Sequence, residues 1–296
     1  MNEVRSLPMV PRQSPHMTIM VAAAQKAAKR LVRDFNEVEQ LQVSVKGPSD
    51  FVSQADLRSE QSIRDDLDRA RPGYGFLMEE SGTGGSTNWT WRWIVDPLDG
   101  TTNFLHGIPN WAISIALEKR LADGGSEIVA GVVYAPALAE LYWAEKGVGA
   151  FLNDRRLRVS ARREWSSALF ATGIPFARTT PRNRLAFARI LGGLMPEIAG
   201  IRRFGAASLD LAWVAAGRFD GFWEFGLSKW DLAAGALMVR EAGGYVTDPA
   251  GQEQVESNIV AANPYLHPRL LERVAAAAEM TRATSGGDPH ATTAPH

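Results

Sequence analysis

The stretch WRWIVDPLDGTTNF (91–104) places a turn rich in polar residues directly after an apolar, strand-like run. Asp96 and Asp99 lie three residues apart around a proline, and Gly-Thr-Thr follows them. Asp-Pro and Asp-Gly are ordinary turn dipeptides, because proline presets φ and glycine accepts a positive φ. Taken alone, the stretch is therefore either a simple tight turn or a turn that holds a ligand.

Composition narrows the chemistry that such a turn can support. The 296 residues carry a net charge of −1, contain no cysteine and include only five histidines. Without cysteine there are no disulfides, thiolate metal sites or thiol nucleophiles. A near-neutral chain has no overall attraction to nucleic acid or to anionic lipid. A metal site in this chain is therefore expected to use oxygen ligands.

The apolar run MTIMVAAA (17–24) is too short to span a membrane. Apolar residues continue from it at four-residue spacing through Ala27, Leu31 and Phe35, with Lys26, Lys29 and Arg30 between them, which predicts an amphipathic helix and not an excised signal segment. We therefore expect a cytoplasmic protein without a membrane anchor.

Alternating helix and strand patterns predict a mixed α/β fold with layers packed around a shared core. Residues 1–16 are predicted to form a loose N-terminal arm and residues 281–296 a disordered polar tail. Residues 17–280 then form a single domain, with subdomains at about 17–150 and 151–280. Helices are predicted at about 18–38, 57–70, 182–194, 206–218, 231–243 and 268–280, and strands at about 41–45, 91–96, 112–119, 128–135, 140–145, 167–173, 220–225 and 258–263.

Acidic residues recur where predicted elements meet loops. Each has a purely structural alternative: Asp56 and Asp231 could cap helices, Glu79 and Glu80 could be solvated, and the aspartates of the quoted stretch could serve its turn. Several such carboxylates in a chain with few histidines favour a site for a hard divalent cation.

The residues after Asp99 supply a complement to such a site. If a helical turn begins near Thr101, the backbone amides of Gly100, Thr101 and Thr102 point outward and can bind an anion. Amides beside clustered carboxylates suggest metal-assisted chemistry on a phosphate. The chain has no P-loop motif, so a nucleotide kinase or ATPase is not expected.

Two motifs then point to a family. DPLDGTTNF (96–104) and WDLAAGALMVREAGG (230–244) closely resemble the two signatures of the inositol monophosphatase family, and DFVSQAD (50–56) and EES (79–81) resemble two further family motifs. The resemblance extends over about 18–280 in the family's order and spacing. It implies an αβαβα sandwich of the inositol monophosphatase / fructose-1,6-bisphosphatase type, sensitivity to lithium and a homodimer.

The resemblance also implies a magnesium site with two to three Mg²⁺, for which Mn²⁺ can substitute. Glu79, Asp96 and the Leu98 carbonyl would hold the first ion, Asp96, Asp99 and Asp231 the second, and Glu79 with water a third. Asp56 and Thr101 would orient the attacking water, and with Glu79 they form the predicted catalytic set. Glu80 is not a usual ligand of the family, and Lys46 matches a family lysine near the site less specifically.

The substrate contacts implied by the resemblance lie on both halves of the chain. Gly100 and Thr101 would bind the phosphate through their amides, while Asp99, the segment Gly205, Ala206 and Ala207, and Glu224 would meet hydroxyl groups. A carboxylate at Glu224 suits a polyol, although a surface glutamate at a strand edge is the alternative. The sequence departs from the family's pattern at Met78, where glycine is common, and at Ala206, where serine is frequent.

The expected activity is hydrolysis of myo-inositol monophosphate to inositol and phosphate by metal-activated water. Alternatives within the fold are phosphatases for histidinol phosphate, for sugar phosphates or for 3′-phosphoadenosine 5′-phosphate, the last disfavoured by Glu224. A non-catalytic regulatory protein is the alternative outside enzymes. The expected partners are a small phosphomonoester and a second copy of the chain, with no nucleic acid.

Overall fold

The computed structural model describes residues 13–37, 43–47, 50–175 and 181–285, and these form a mixed α/β fold. The helices are α1 (Pro15–Asn36), α2 (Gln54–Ala70), α3 (Thr101–Leu105), α4 (Pro181–Leu194), α5 (Ala207–Ala215), α6 (Lys229–Glu241) and α7 (His267–Ser285). The strands are β1 (Val43–Gly47), β2 (Asp50–Ser53), β3 (Gly75–Met78), β4 (Gly82–Gly85), β5 (Trp91–Asp99), β6 (Ala112–Arg120), β7 (Ser126–Ala135), β8 (Glu140–Glu145), β9 (Gly149–Leu152), β10 (Arg155–Arg156), β11 (Leu169–Thr172), β12 (Gly200–Arg202), β13 (Gly221–Glu224), β14 (Tyr245–Thr247) and β15 (Ile259–Ala262).

Two large sheets organise the described residues. The first has eight strands in the order β10-β9-β8-β7-β6-β5-β3-β4, and all its pairs are antiparallel except β3 with β5. The second has five strands in the order β12-β11-β13-β15-β14. Strands β12, β11 and β13 are parallel, and β15 is antiparallel to both of its neighbours, β13 and β14. Strands β1 and β2 form a separate antiparallel pair.

Helices cover these sheets in three layers, which confirms the predicted αβαβα sandwich. Helices α1 and α2 pack on the outer face of the eight-stranded sheet, α5 and α6 lie between the two sheets, and α7, which packs with α4, contacts the outer face of the five-stranded sheet. Because both faces of the first sheet are covered, β5 and β6 are continuously buried over most of their length. Trp93 and Val95 of β5 join the core under α1 and α2, whereas Ile94 joins the core around α5 and α6.

Small residues allow helix α6 to approach α5 in the same layer and β7 of the eight-stranded sheet closely. A Cβ atom added to Gly235 of α6 would lie 2.5 Å from Leu211 Cβ of α5, and one added to Gly131 of β7 would lie 2.9 Å from Ala234 Cα of α6. Real Cβ atoms essentially never approach other atoms so closely. Helix α6 is therefore held tightly between its partners, which fixes the direction in which its first turn points.

Several boundaries differ from the predicted ones. Helix α1 begins at Pro15, inside the predicted arm, because Ser14 caps it by accepting a hydrogen bond of 3.1 Å from the Met17 amide. Helix α2 begins at Gln54, three residues before the predicted start. Helix α7 continues to Ser285, so residues 281–285 are helical and were wrongly assigned to the tail. The predicted arm up to residue 12 and the tail from residue 286 lie outside the described residues.

The predicted division near residue 150 stays a prediction. Strand β10 still belongs to the first sheet, and the second sheet begins with β11. Within the part of the chain that the structure describes, no helix combines the length and hydropathy needed to cross a membrane.

Candidate active site

An irregularity in strand β5 gives Asp96 and Asp99 the same orientation. Asp96 pairs with Ser114 of β6 and Asp99 pairs with Ala112, so three steps along β5 match two steps along β6. Side chains two residues apart on a strand share a face, and the extra residue of a bulge shifts the alternation by one. Both aspartates are therefore directed towards the α5 and α6 layer, and both are buried.

The turn that follows β5 has the geometry expected from the sequence. Asp96 Oδ1 accepts a hydrogen bond of 2.9 Å from the Leu98 amide, and helix α3 begins at Thr101 after Gly100, whose φ is +92°. A Cβ atom at Gly100 would also lie 2.9 Å from the Asn110 carbonyl oxygen and 3.3 Å from Ala206 Cβ. Glycine is thus favoured at position 100 for two reasons: its φ is left-handed, and Asn110 and Ala206 leave no room for a side chain.

Thr101 and Asp56 form a hydrogen-bonded pair between two helices. The Thr101 hydroxyl lies 3.0 Å from Asp56 Oδ1 and 3.1 Å from the Leu98 carbonyl oxygen. Asp56 is 0% exposed and lies in the first turn of α2. The structure therefore brings together the two residues that the sequence predicts to act on water. Asp56 lies inside the helix, so the alternative that it is the N-cap is wrong.

Glu60, which is not among the predicted site residues, positions the loop that contains residues 79–81. Glu60 of α2 accepts hydrogen bonds of 2.8 Å from the Glu80 amide and 3.0 Å from the Ser81 amide, and it is 5% exposed. Glu60 lies four residues after Asp56, so both carboxylates occupy the same face of α2. This signal was hidden because the predicted helix began at residue 57, after Asp56.

Asp231 lies in the first turn of α6, where its carboxylate has a structural role. Its carboxylate Oδ2 accepts a hydrogen bond of 2.7 Å from the Ser228 amide, in the arrangement of a capping box. Ser228 is the N-cap, so the alternative that Asp231 is itself the N-cap is wrong. Asp231 nevertheless supports the helix start through this hydrogen bond.

The first turn of α6 is anchored to the eight-stranded sheet. Lys229 Nζ lies 2.5 Å from Glu118 Oε1, and the Ser114 hydroxyl donates to the Trp230 carbonyl at 3.3 Å. Since Ser114 is also the pairing partner of Asp96, this contact places Asp231 across from Asp96. A lysine at a helix N-terminus is unfavourable to the helix dipole, and the buried carboxylate of Glu118 offsets that charge.

Asp99 connects the site to helix α5. Its Oδ2 atom accepts hydrogen bonds from the Ser208 amide at 2.8 Å and from the Ser208 hydroxyl at 2.5 Å. The N-cap of α5 is Ala206, which has no side chain able to cap, so Asp99 takes over this function from another strand. The same contacts hold the predicted substrate segment Gly205, Ala206 and Ala207 beside the turn.

The carboxylates of this site lie close enough to raise each other's pKa. Burial, then the charges of Glu79, Asp99 and Asp231, and a hydrogen bond with Glu79 raise the pKa of Asp96 well above its usual range. Burial also raises the pKa of Asp99, against the opposing effect of its hydrogen bonds from α5. Such a cluster is stabilised either by protons or by a cation.

These residues fit a hard divalent cation by donor chemistry, because all are oxygen donors and their charges repel each other. Among residues 13–37, 43–47, 50–175 and 181–285, no three His, Cys, Asp or Glu side chains are already arranged around a common point that could hold a metal ion. Glu79 and Asp96 instead share a hydrogen bond. This hydrogen bond is lost when both groups are ionised, because no proton then remains between them.

Two further acids lie beside the substrate segment. Burial, followed by the charge of Asp99, raises the pKa of Glu224 to about 8, and Arg203 opposes this effect. Burial and the charges of Glu224 and Asp99 raise the pKa of Asp210, whose Oδ1 atom is buried without a hydrogen-bond partner. Asp210 was missed, although an acid inside the apolar run AASLDLAWVAAG (206–217) was a visible signal.

Comparison with known proteins gives evidence that is independent of this geometry. The sequence model described as the inositol monophosphatase family matches residues 12–281. The inositol-1-monophosphatase of Caulobacter vibrioides is 53% identical over 262 residues, which are 87% of this chain and 100% of that protein. The chain belongs to the inositol monophosphatase family. By family it is a phosphoric monoester hydrolase.

Other members of the inositol monophosphatase family that resemble this chain have different names. A protein of Pseudomonas aeruginosa named Nus factor SuhB is 42% identical over 264 residues, covering 88% of this chain and 96% of that protein. The solved structure of the extragenic suppressor protein suhB from Bartonella henselae is 54% identical, with a TM-score of 0.83, and covers 88% of this chain and 98% of that one.

Proposed function

We propose that the protein is a Mg²⁺-dependent phosphomonoesterase that hydrolyses myo-inositol monophosphate to inositol and phosphate. The observation that carries this proposal is that the buried Asp96 interacts with Glu79, Asp99 and Asp231, while Thr101, at the end of the same turn, is hydrogen-bonded to Asp56. A cation-binding carboxylate cluster next to a polarised hydroxyl is what metal-assisted hydrolysis needs.

The implied ligands of two to three Mg²⁺ are Glu79, Asp96, Asp99, Asp231 and the Leu98 carbonyl, with Mn²⁺ as a substitute. When bound, these ions neutralise phosphoryl oxygens and lower the pKa of water. Asp96 and Asp99 are already ordered by the turn and by α5, so little side-chain freedom is lost on binding.

Thr101 and Asp56 act on the attacking water. When the Thr101 hydroxyl donates a hydrogen bond to Asp56, the lone pairs of its oxygen can accept a hydrogen bond from water. Asp56 is fully buried, which keeps that donation from being lost to solvent. The water is thereby oriented with a lone pair towards phosphorus, and the amides of Gly100 and Thr101 bind the phosphate.

The substrate's hydroxyl groups are met on the other side of the turn. Asp99 Oδ2 is engaged by Ser208, so its contact with a hydroxyl uses Oδ1. Ala206 lies close to Gly100, which supports a contact of the segment 205–207 with a substrate whose phosphate is bound at Gly100. Glu224 completes this side with a carboxylate that can accept hydrogen bonds from two neighbouring hydroxyls.

Other activities on the same fold are less well supported. Histidinol phosphate, sugar phosphates and 3′-phosphoadenosine 5′-phosphate remain alternatives within phosphatases, and Glu224 disfavours the nucleotide. Relatives named Nus factor raise the alternative of a regulatory protein. The buried pairing of Asp56 with Thr101 supports catalysis, because regulation does not require a hydroxyl polarised towards a carboxylate cluster.

Phosphate release from a panel of small phosphomonoesters tests the substrate assignment. The panel contains inositol 1-phosphate, histidinol phosphate, a sugar phosphate, 3′-phosphoadenosine 5′-phosphate and an aryl phosphate, each with and without Mg²⁺. We expect the highest kcat/KM for inositol 1-phosphate. A higher value for another member would replace inositol 1-phosphate as the proposed substrate, and no release from any member would favour the regulatory alternative.

We also propose a cytoplasmic location and a homodimer.

Replacing Glu224 by glutamine is expected to separate substrate classes. In an assay above pH 8, where Glu224 is ionised, the change keeps the shape but exchanges one acceptor oxygen for a donor, which leaves a substrate hydroxyl without its acceptor. We expect kcat/KM for inositol 1-phosphate to fall by about tenfold or more, on the order of 1.4 kcal/mol. An aryl phosphate without vicinal hydroxyls is expected to change little. Equal losses on both substrates would contradict the polyol contact.

The contribution of four buried acids to the stability of the metal-free protein is expected to fall as pH rises from about 4 towards the pKa of Glu224 at about 8. Asp96, Asp99, Asp210 and Glu224 have folded-state pKa values above those of the unfolded chain, so the folded state binds more protons across this window. Added Mg²⁺ competes with those protons and should raise Tm more at pH 8 than at pH 5.5. Thermal unfolding at both pH values measures this, and an equal or reversed Mg²⁺ effect would contradict it.

A further inference from the structure

Gly173 lies at the point where the five-stranded sheet reaches the substrate side of the site. It follows directly after β11, whose last residue, Thr172, pairs with Trp223 of the parallel strand β13. The Thr172 hydroxyl also donates to the Trp223 carbonyl at 2.7 Å. Gly173 is therefore held in register beside Glu224, the final residue of β13, and it is buried.

The carboxylate of Glu224 occupies the space that a side chain at Gly173 would need. A Cβ atom built on Gly173 would lie 1.8 Å from Oε1, 1.9 Å from Cδ and 2.2 Å from Oε2 of Glu224. These are the three nearest atoms, and all belong to that one carboxylate. The backbone at Gly173 is not left-handed, so alanine is excluded there by Glu224 and not by conformational strain.

The charges around Glu224 define where its carboxylate rests. Arg203 attracts it, whereas Asp99 and, on α5, Asp210 repel it. The backbone of Glu224 is fixed by pairing with Ile259 of β15, so only the side chain can move. A side chain placed at Gly173 would thus displace the end of a flexible glutamate and leave the sheet in place.

We propose that Gly173 is a specificity-determining residue, whose missing side chain leaves room for the Glu224 carboxylate that meets substrate hydroxyls. This inference rests on the proposed polyol phosphatase function. It assigns to Gly173 no contact with the reacting phosphate, so its effect is confined to substrates that use Glu224.

The test compares Gly173→Ala with a matched glycine substitution. Gly192→Ala is the control, because Gly192 lies on α4, is exposed and has no atom within 4 Å of an added Cβ. We expect Gly173→Ala to lower kcat/KM for inositol 1-phosphate about tenfold and to change the aryl phosphate less than about twofold. We expect Gly192→Ala to change neither substrate.

A double-mutant cycle shows whether the effect acts through Glu224. In the Glu224→Ala background no carboxylate remains to be displaced, so adding Gly173→Ala is expected to change kcat/KM less than about twofold. A tenfold further loss in that background, or equal losses on both substrates in the single variant, would overturn the proposal.

A crystal structure of Gly173→Ala separates this inference from the proposed function. The Glu224 carboxylate is expected to move by more than about 1 Å, because real Cβ atoms essentially never come within 3.0 Å of a neighbour. An unmoved carboxylate overturns the role of Gly173. If instead the carboxylate moves but the wild type does not hydrolyse inositol 1-phosphate, the proposed substrate fails, and the same cycle is run on the polyol phosphate that the wild type accepts.

Discussion

Asp231→Asn is expected to lower kcat by more than about a hundredfold while the protein remains folded. Loss of a group that merely orients a metal ligand typically costs 10- to 100-fold in activity, so loss of a charged ligand should cost more. The fold should survive because the asparagine Oδ1 can still accept the hydrogen bond that Asp231 receives from the Ser228 amide. Turnover of inositol 1-phosphate and thermal unfolding measure the two effects separately.

Two further variants control the Asp231 experiment. Asp123 accepts a hydrogen bond of 2.9 Å from the Gly125 amide in an exposed turn, so Asp123→Asn repeats the chemical change far from the site and should keep full activity. Asp231→Ala removes both the ligand and the helix contact, and it should lose stability as well as turnover. Near-normal kcat in Asp231→Asn would mean that this carboxylate serves only the start of α6.

Thr101→Ala is expected to lower kcat by about 10²- to 10³-fold with a smaller effect on KM. The side chain removed carries the hydroxyl that lies 3.0 Å from Asp56, and positioned proton acceptors of this kind typically contribute 10²- to 10⁴-fold. The proposed phosphate contacts are backbone amides, which alanine keeps. Steady-state kinetics with inositol 1-phosphate give kcat and KM separately.

Thr101→Ser is the matched control, because serine retains the hydroxyl and loses only a methyl group. It should keep most of the activity that alanine loses. If serine and alanine are equally impaired, packing of the Thr101 methyl and not its hydroxyl explains the effect. A change in KM alone would likewise contradict a role in orienting water.

The turn that contains Asp96 and Asp99 could be predicted from the sequence, because the residues that specify it are adjacent in the chain. Proline, glycine and the two aspartates of 96–100 specify the turn by their own conformational preferences, and Thr101 begins a helix as expected. The mixed α/β class followed from the periodicity of long elements, whereas the αβαβα order of the layers was implied by the family resemblance. Short strands were missed: β4 has the sequence GTGG, which has no apolar alternation, and it forms because β3 supplies a pairing edge.

Features created by tertiary contacts could not be predicted in the same way. Asp99 caps α5 across more than a hundred residues of chain, and nothing near Ala206 indicates this. Glu60 supports the EES loop through backbone amides, which leave no trace in the sequence of the loop. The position of the Glu224 carboxylate over Gly173 depends on the pairing of β11 with β13. The side chain of Lys46, the lysine matched to the family, lies outside the described part of the chain.

The most direct test of the account is phosphate release from inositol 1-phosphate by the purified protein in three matched reactions. One contains Mg²⁺, one contains excess EDTA, and one contains EDTA followed by Mg²⁺ in excess of the chelator. Because the proposed reaction needs a cation, held by Asp96, Asp99 and Asp231, to neutralise the phosphate and activate water, we predict turnover in the first, none in the second and recovery in the third. Undiminished turnover in EDTA would contradict the account.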